Sequence, residues 1–334
     1  MKKVKLFYVS DETPGFTRKK WGRGFIYLNT EGNKVKDKAL LIRFKELVIP
    51  PAWQEVWICS DECGHIQATG RDEAGRKQYI YHPEWEKQSS ETKFSEMIEF
   101  GEYLPAIRER ADNDLRKHNF HRERVLALAI NLLDESLIRI GNATYTKKYG
   151  SFGLTTLREK HLEIHGSKIK FDFTGKKGVE REVEIQDNRL SRIIKQLEEL
   201  PGQLLFVYHD EEDRRKNLTS SAVNEYLHEI TGKDFTAKYF RTWGGSVLAL
   251  KGFVESGKEK TKTDVKKKVV EVIKYVADEL GNTPAICRKY YIHPEIISAY
   301  EDGSLFKENL FFRKRKFFDG EEAALLRFLK SKRN

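Results

Sequence analysis

The sequence predicts an α+β protein in which a small β-rich N-terminal domain, residues 1–88, precedes a mostly helical domain, residues 89–334, that carries a three-stranded β insertion. Three observations predict it. Short β-branched and aromatic runs separated by glycines fill the first 85 residues. Apolar residues recur at helical spacing from Phe94 onward, and one alternating stretch over 162–185 breaks that spacing. A chain of 334 residues is long enough for two domains with a sizeable core.

From Lys3 to about Trp85, residues 25–28, 56–59, 65–69 and 78–81 read as strands between turns. After Pro83 the spacing becomes helical, most strongly at Val125, Leu128, Ala129, Leu132 and Leu133. In the insertion Leu162 and Ile164 alternate first, then Ile169, Phe171 and Phe173, then Val179, Arg181, Val183 and Ile185. The bends fall at Gly166-Ser167 and at 175–178, which is a meander. Further helices fit 220–230, 236–253 and 264–280, the last with Asp264 as N-cap and Gly281 just past its end. The six lysines of 256–268 read as a solvated linker, and Thr283-Pro284 starts another helix.

Sixty-one Lys and Arg against 51 Asp and Glu give a formal net charge of +10, which suits a polyanionic partner while leaving nucleic acid, membrane surface and acidic protein all open. Residues 1–7 lack the apolar centre of a signal peptide and no run reaches 18 apolar residues, so a cytoplasmic protein without a membrane partner is expected. Three cysteines fit a reducing compartment. Cys59, Cys63 and His65 could be drawn as part of a zinc site, but a fourth ligand and a second half are missing, so no metal is expected. The sequence has no Walker A motif and no acidic metal cluster, so no nucleotide or other cofactor is expected.

Several polar residues stand in patterns suited to phosphodiester chemistry. Arg139 closes the apolar helix before Gly141 and Asn142 and either projects into a cleft or pairs with Asp134 or Glu135 on the surface. Arg241 lies among aromatics in the run 238–245, where two glycines allow close backbone approach; a surface helix is the plain alternative. Lys176 sits at a hairpin tip, able to reach into a groove or simply to keep the turn in water. Tyr290 and Tyr291 follow Asn282 and the Thr283-Pro284 helix start, as core, interface or nucleophile.

The order and spacing of these stretches resemble the type IB DNA topoisomerases, in the small form found in poxviruses and bacteria, from about residue 15 to about residue 300. The resemblance is carried by residues 48–53, 65–72, 75–83, 139–142, 149–157, 240–243 and 281–288. It implies a tyrosine recombinase/topoisomerase IB-like catalytic domain. Tyr291 would be the nucleophile, Arg139 and Arg241 the phosphate clamps, and Lys176 the proton donor to the leaving oxygen. Asn282 stands where poxviral relatives have histidine and bacterial relatives commonly have asparagine; it donates a hydrogen bond without charge. Tyr290 stays the competing phenol.

Arg71, Arg76, Lys77, Gln78, Tyr79 and Tyr81 combine positive charge with flat polar side chains, as a surface for double-stranded DNA or as an ordinary strand with an exposed basic edge; the resemblance implies that Gln78, Tyr79 and Tyr81 touch the DNA, and Lys238 is expected as a further contact. Lysines of the linker and the basic run 313–316 would add salt-sensitive attraction. The implied enzyme is a monomer, associated with the nucleoid, that nicks one strand through a 3′-phosphotyrosyl link and reseals it without ATP. Two other readings remain: a tyrosine recombinase, although those usually have His where Lys238 stands and a helical N-terminal domain, and a non-catalytic DNA-binding protein of the same fold.

Overall fold

Asp37 opens the first helix of the chain by accepting from the amides of Ala39 at 2.7 Å and Leu40 at 3.2 Å. This helix, α1 (Lys38–Glu46), lies in a computed structural model that describes residues 5–118, 120–199, 202–308, 310 and 313–333. Residues 1–4, including Lys3, where the β-rich reading begins, lie outside the described residues. The chain divides into two units, residues 1–93 and 94–334.

The first unit is a five-stranded antiparallel sheet in the order β2-β1-β3-β4-β5, formed by β1 (Gly15–Trp21), β2 (Gly24–Leu28), β3 (Gln54–Cys59), β4 (Ile66–Arg71) and β5 (Lys77–Tyr81). Four of these strands lie where the sequence predicts them. The reading missed β1 and α1. Four of the seven residues of β1 are exposed and Arg18, Lys19 and Lys20 run in succession, so alternation is faint; ladders to β2 (Arg18 opposite Tyr27) and β3 (Phe16 opposite Ile58) hold it instead. One face of α1 delivers Phe44 to the core between Phe16 and Tyr27, each ring centroid 4.9 Å away. Val35, Ile49, Val56, Ile58 and Ala68 complete that core.

A long helix, α2 (Pro83–Asp114), contains the boundary between the units. In the second unit α3 (Arg122–Ser136) is buried without interruption from Val125 to Ile130, so it is a helix wrapped by its neighbours rather than an amphipathic surface helix. It stops at Leu137, whose φ of 53° is left-handed. After the short α4 (Ala143–Tyr149) comes the expected meander, β6 (Leu162–His165), β7 (Lys168–Thr174) and β8 (Glu180–Gln186), followed by α5 (Asn188–Glu198) and a small ribbon of β9 (Val207–His209) and β10 (Arg215–Asn217). The remaining helices are α6 (Ser220–Thr231), α7 (Lys238–Ser256), α8 (Lys262–Leu280), α9 (Pro284–Tyr290), α10 (Pro294–Glu301) and α11 (Gly320–Arg333).

The expected linker is shorter than 256–268. Thr261 caps α8, its hydroxyl accepting from Asp264 N at 3.1 Å and meeting the Asp264 carboxylate at 2.7 Å. Asp264 is therefore the third residue of the helix and not its N-cap, and four of the six lysines belong to α8. The C-terminal α11 is seated through Glu322, 6% exposed, which accepts from Arg108 at 2.6 Å and from Trp243 Nε1 at 2.9 Å. Among the described residues no helix is long and apolar enough to cross a membrane.

Candidate active site

The site grows from the C-terminus of α8. Gly281, at φ 54°, ends the helix with a left-handed residue; its amide returns to Asp278 O at 3.0 Å and that of Asn282 to Ala277 O at 2.8 Å. Four successive carbonyls at the negative end of the helix are then each claimed by an arginine from another segment. Arg181 on β8 donates to Asp278 O at 2.9 Å and Glu279 O at 2.8 Å. Arg241 on α7 donates to Leu280 O at 2.7 Å and also to Leu137 O. Arg139 reaches Gly281 O at 3.4 Å and Asn282 Oδ1 at 2.5 Å.

Each arginine is held by local structure. The turn at Leu137 swings the chain out of α3, after which Arg139 O accepts from Leu154 N and Ile140 O from Thr155 N, both at 2.8 Å. That pairing requires glycine at 153, where a Cβ would sit 2.5 Å from Arg139 O and 2.6 Å from Gly141 Cα. Asp134, one surface partner open to Arg139 in the sequence, is occupied by Arg108 at 2.6 Å. Arg241 is 4% exposed, not on a surface helix; burial and the neighbouring Arg139 charge bring its pKa down to about 10. Burial, then Arg139, likewise lowers the pKa of Arg181.

Tyr291 stands beside this cluster, with the Arg241 guanidinium 5.1 Å from its ring centroid. Burial pushes the phenol up, but the charges of Arg241 and Arg139 outweigh it and hold Tyr291 below the ordinary tyrosine value. Polar contacts from Arg241 and Asn282 to the phenol lower it further, while Asn282 Nδ2 and Arg241 Nε are buried donors without a hydrogen bond of ordinary geometry. The backbone of Tyr291 is fixed by Ser246 on α7, whose hydroxyl donates to Tyr291 O at 3.2 Å and accepts from His293 N at 3.0 Å. Tyr290 is different: it is 37% exposed, with Lys289 5.1 Å from its ring centroid.

Arg139, Arg241, Asn282 and Tyr291 are thus brought together. Lys176 is exposed in the 3-10 turn Lys176–Gly178 at the tip between β7 and β8, the strand that carries Arg181. Arg181 and Ser246 are the residues that the sequence reading missed. Arg181 was hidden as one member of an alternating strand, and Ser246 as a small residue within an apolar helix.

In the first unit the six expected DNA contacts do not share one face. Lys77, Tyr79 and Tyr81 alternate onto the exposed side of β5, the two tyrosines stacked at 5.9 Å. Gln78 lies on the other side with Ile80, and its amide donates to Asp72 at 3.0 Å. Arg76 pairs with the same carboxylate at 2.8 Å, Arg71 with Glu55 at 2.6 Å, and Lys77 with Asp11 at 2.7 Å. In the second unit Lys238 is exposed at the start of α7, 5.5 Å from the Tyr239 ring centroid. His65 Nδ1 accepts from Val9 N at 3.0 Å, and burial raises the Cys59 thiol. Among the described residues no three His, Cys, Asp or Glu side chains form a metal-holding group.

Residues 82–310 match the family model of the eukaryotic DNA topoisomerase I catalytic core, and residues 24–72 match that of the bacterial DNA topoisomerase IB N-terminal domain. The chain is 30% identical over 326 residues to DNA topoisomerase 1B of Acanthamoeba polyphaga mimivirus, spanning 96% of this chain and 95% of that protein. It is 25% identical over 237 residues to DNA topoisomerase 1B of Vaccinia virus strain Copenhagen, spanning 70% and 72%. Among solved structures, the XerH site-specific recombinase in a post-cleavage complex with palindromic difH aligns with a TM-score of 0.39 at 15% identity, over 62% of this chain and 52% of that one. On the family match and the mimivirus relative, this chain belongs to the type IB DNA topoisomerases.

Proposed function

We propose that the chain relaxes supercoiled double-stranded DNA without ATP by moving a strand phosphate onto Tyr291 and back again. The observation that carries this is the cluster of buried and half-buried guanidiniums beside a phenol held below its ordinary pKa, with Asn282 Nδ2 and Arg241 Nε lacking a hydrogen bond of ordinary geometry. Arg139 and Arg241 face the non-bridging oxygens, where charge builds in the transition state; losing one such donor typically costs roughly a hundred- to a thousandfold in rate. Their forks are fixed beforehand by backbone carbonyls, so little reorganisation accompanies the reaction.

Tyr291 Oη, its proton lost to solvent, attacks phosphorus as the bond from phosphorus to the 5′ oxygen breaks. Lys176 gives a proton to that departing oxygen, which would otherwise leave as an alkoxide. The 3′-phosphotyrosyl bond conserves the energy of the bond it replaces, so the 5′ hydroxyl returns by the reverse path and no nucleotide is consumed. Between the two steps the free end swivels. The β-rich unit is the DNA-binding domain and the helical unit the catalytic one. The exposed row of Lys77, Tyr79 and Tyr81 supports the first assignment, with Arg71, Arg76, Gln78 and Lys238 as further contacts. Family resemblance supports a monomer working on nucleoid DNA in the cytoplasm.

A supercoiled plasmid incubated with the protein in EDTA and no nucleotide is expected to relax, and a denaturant quench is expected to trap a DNA adduct on Tyr291. Tyr291→Phe is expected to lose the adduct while keeping salt-sensitive DNA binding. An adduct that survives in Tyr291→Phe but disappears in Tyr290→Phe would move the nucleophile by one residue; a plasmid left supercoiled by well-folded protein would overturn the proposal.

A further inference from the structure

We propose that Arg181 is a positioning residue for the reaction, joining the hairpin that carries Lys176 to the helix end that holds the phosphate clamp. Its guanidinium spans Asp278 O and Glu279 O, and the next two carbonyls are those held by Arg241 and Arg139. Its aliphatic stem passes between two glycines. A Cβ on Gly175 would lie 3.1 Å from Arg181 Cγ, and a Cβ on Gly281 would lie 2.5 Å from Arg181 Cδ. Gly175 precedes Lys176 and Gly281 precedes Asn282, so one side chain touches the backbone immediately ahead of each. A hairpin tip is otherwise a mobile place for a proton donor. Both guanidinium ends of Arg181 are committed to carbonyls and, unlike Arg241 Nε, its Nε is not a buried donor lacking a partner, so Arg181 acts through Lys176 rather than on phosphate, an inference that rests on the general-acid reading of Lys176.

Single-turnover cleavage of two strands separates these roles. One strand carries the ordinary 5′ oxygen at the cleavage site, the other a 5′ sulfur in its place, which departs as a stable thiolate and needs no proton. Arg181→Met keeps the packed stem and removes the two donors. It is expected to slow cleavage of the oxygen strand by roughly tenfold or more, as loss of general-acid assistance does, and to cleave the sulfur strand within about threefold of the parent. Lys176→Ala should show the same pattern more strongly, and Arg241→Ala should be slow on both strands.

If Arg181 works only through Lys176, the double variant is no slower on the oxygen strand than Lys176→Ala alone. Equal slowing of Arg181→Met on both strands, or additive losses in the double variant, overturns the positioning role while leaving Lys176 as the acid. Lys176→Ala that sulfur fails to rescue overturns the acid assignment and the positioning role with it. Should Arg181→Met not fold, Arg181→Lys, which retains one donor group, is measured on the same two strands, with selective slowing on oxygen expected and equal slowing contrary.

Discussion

Asn282→Asp sets two effects of one side chain against each other. Asn282 offers Oδ1 to Arg139 at 2.5 Å and leaves Nδ2 as a buried donor without a hydrogen bond of ordinary geometry. Aspartate keeps the acceptor and makes it charged. The bond from the Arg139 guanidinium is already charge-assisted, and aspartate turns it into an ion pair within a cluster of excess positive charge, whose attraction offsets the desolvation of the carboxylate, so the folded protein gains on the order of 1 kcal/mol. The same change removes the donor proposed for the phosphate and neutralises part of the Arg139 charge that lowers the Tyr291 pKa. Cleavage should fall by roughly a hundred- to a thousandfold from the lost donor. The phenol should ionise at higher pH, moving the rate profile upward in pH. The assay is single-turnover adduct formation against pH beside thermal denaturation of the free protein, with Asn282→Ala as the variant that loses both contacts. A more stable Asn282→Asp protein that cleaves within about threefold of the parent would show that Asn282 serves only to hold Arg139, and the donor argument would fall.

Glu322→Ala is expected to cost about 3–5 kcal/mol in guanidinium denaturation, because it strands the Arg108 charge beside Asp134 alone and removes the Trp243 Nε1 acceptor; a loss under about 1 kcal/mol would refute a structural role for α11. His293 accepts from Glu295 N at 3.2 Å, and burial lowers its pKa from 6.5 to about 4. Between those values the unfolded chain binds a proton that the folded chain refuses, so stability falls as pH drops through that window, by about 3 kcal/mol in full. In His293→Asn, which retains an acceptor at the helix start, the slope of stability with pH from 6.5 to 4 should flatten; an unchanged slope would place the titration elsewhere.

Much of this architecture was legible in the sequence because its signals are local. The meander announced itself through strict alternation and two glycine bends, and the end of α8 through Gly281. The helix start at Lys262 was misread because Asp264 and Thr261 are both good caps, and only their reciprocal contact shows which one leads. Alternation was also too weak to reveal β1, which depends on neighbours distant in sequence. At the site, the family resemblance pointed to Arg139, Arg241 and Tyr291, whereas spacing alone favoured pairing Arg139 with Asp134 or Glu135. That choice is made by Arg108, a residue on another helix. Arg181 had no signature at all, since nothing in a strand pattern says which long side chain crosses to another element. Likewise Gln78 was grouped with its neighbours along the chain, whereas a strand sends successive side chains to opposite faces.

The cations around Tyr291 are anchored on main-chain oxygens, which every amino acid supplies alike. Drift at positions 278 and 279 should therefore be tolerated, since what Arg181 recognises there is the peptide and not the side chain. Register is another matter. One residue inserted or deleted within α8 turns the fan of carbonyls by about 100° about the helix axis and would mis-aim all three guanidiniums at once. The catalytic geometry is thus recorded in the length and the stopping point of α8 more than in its letters.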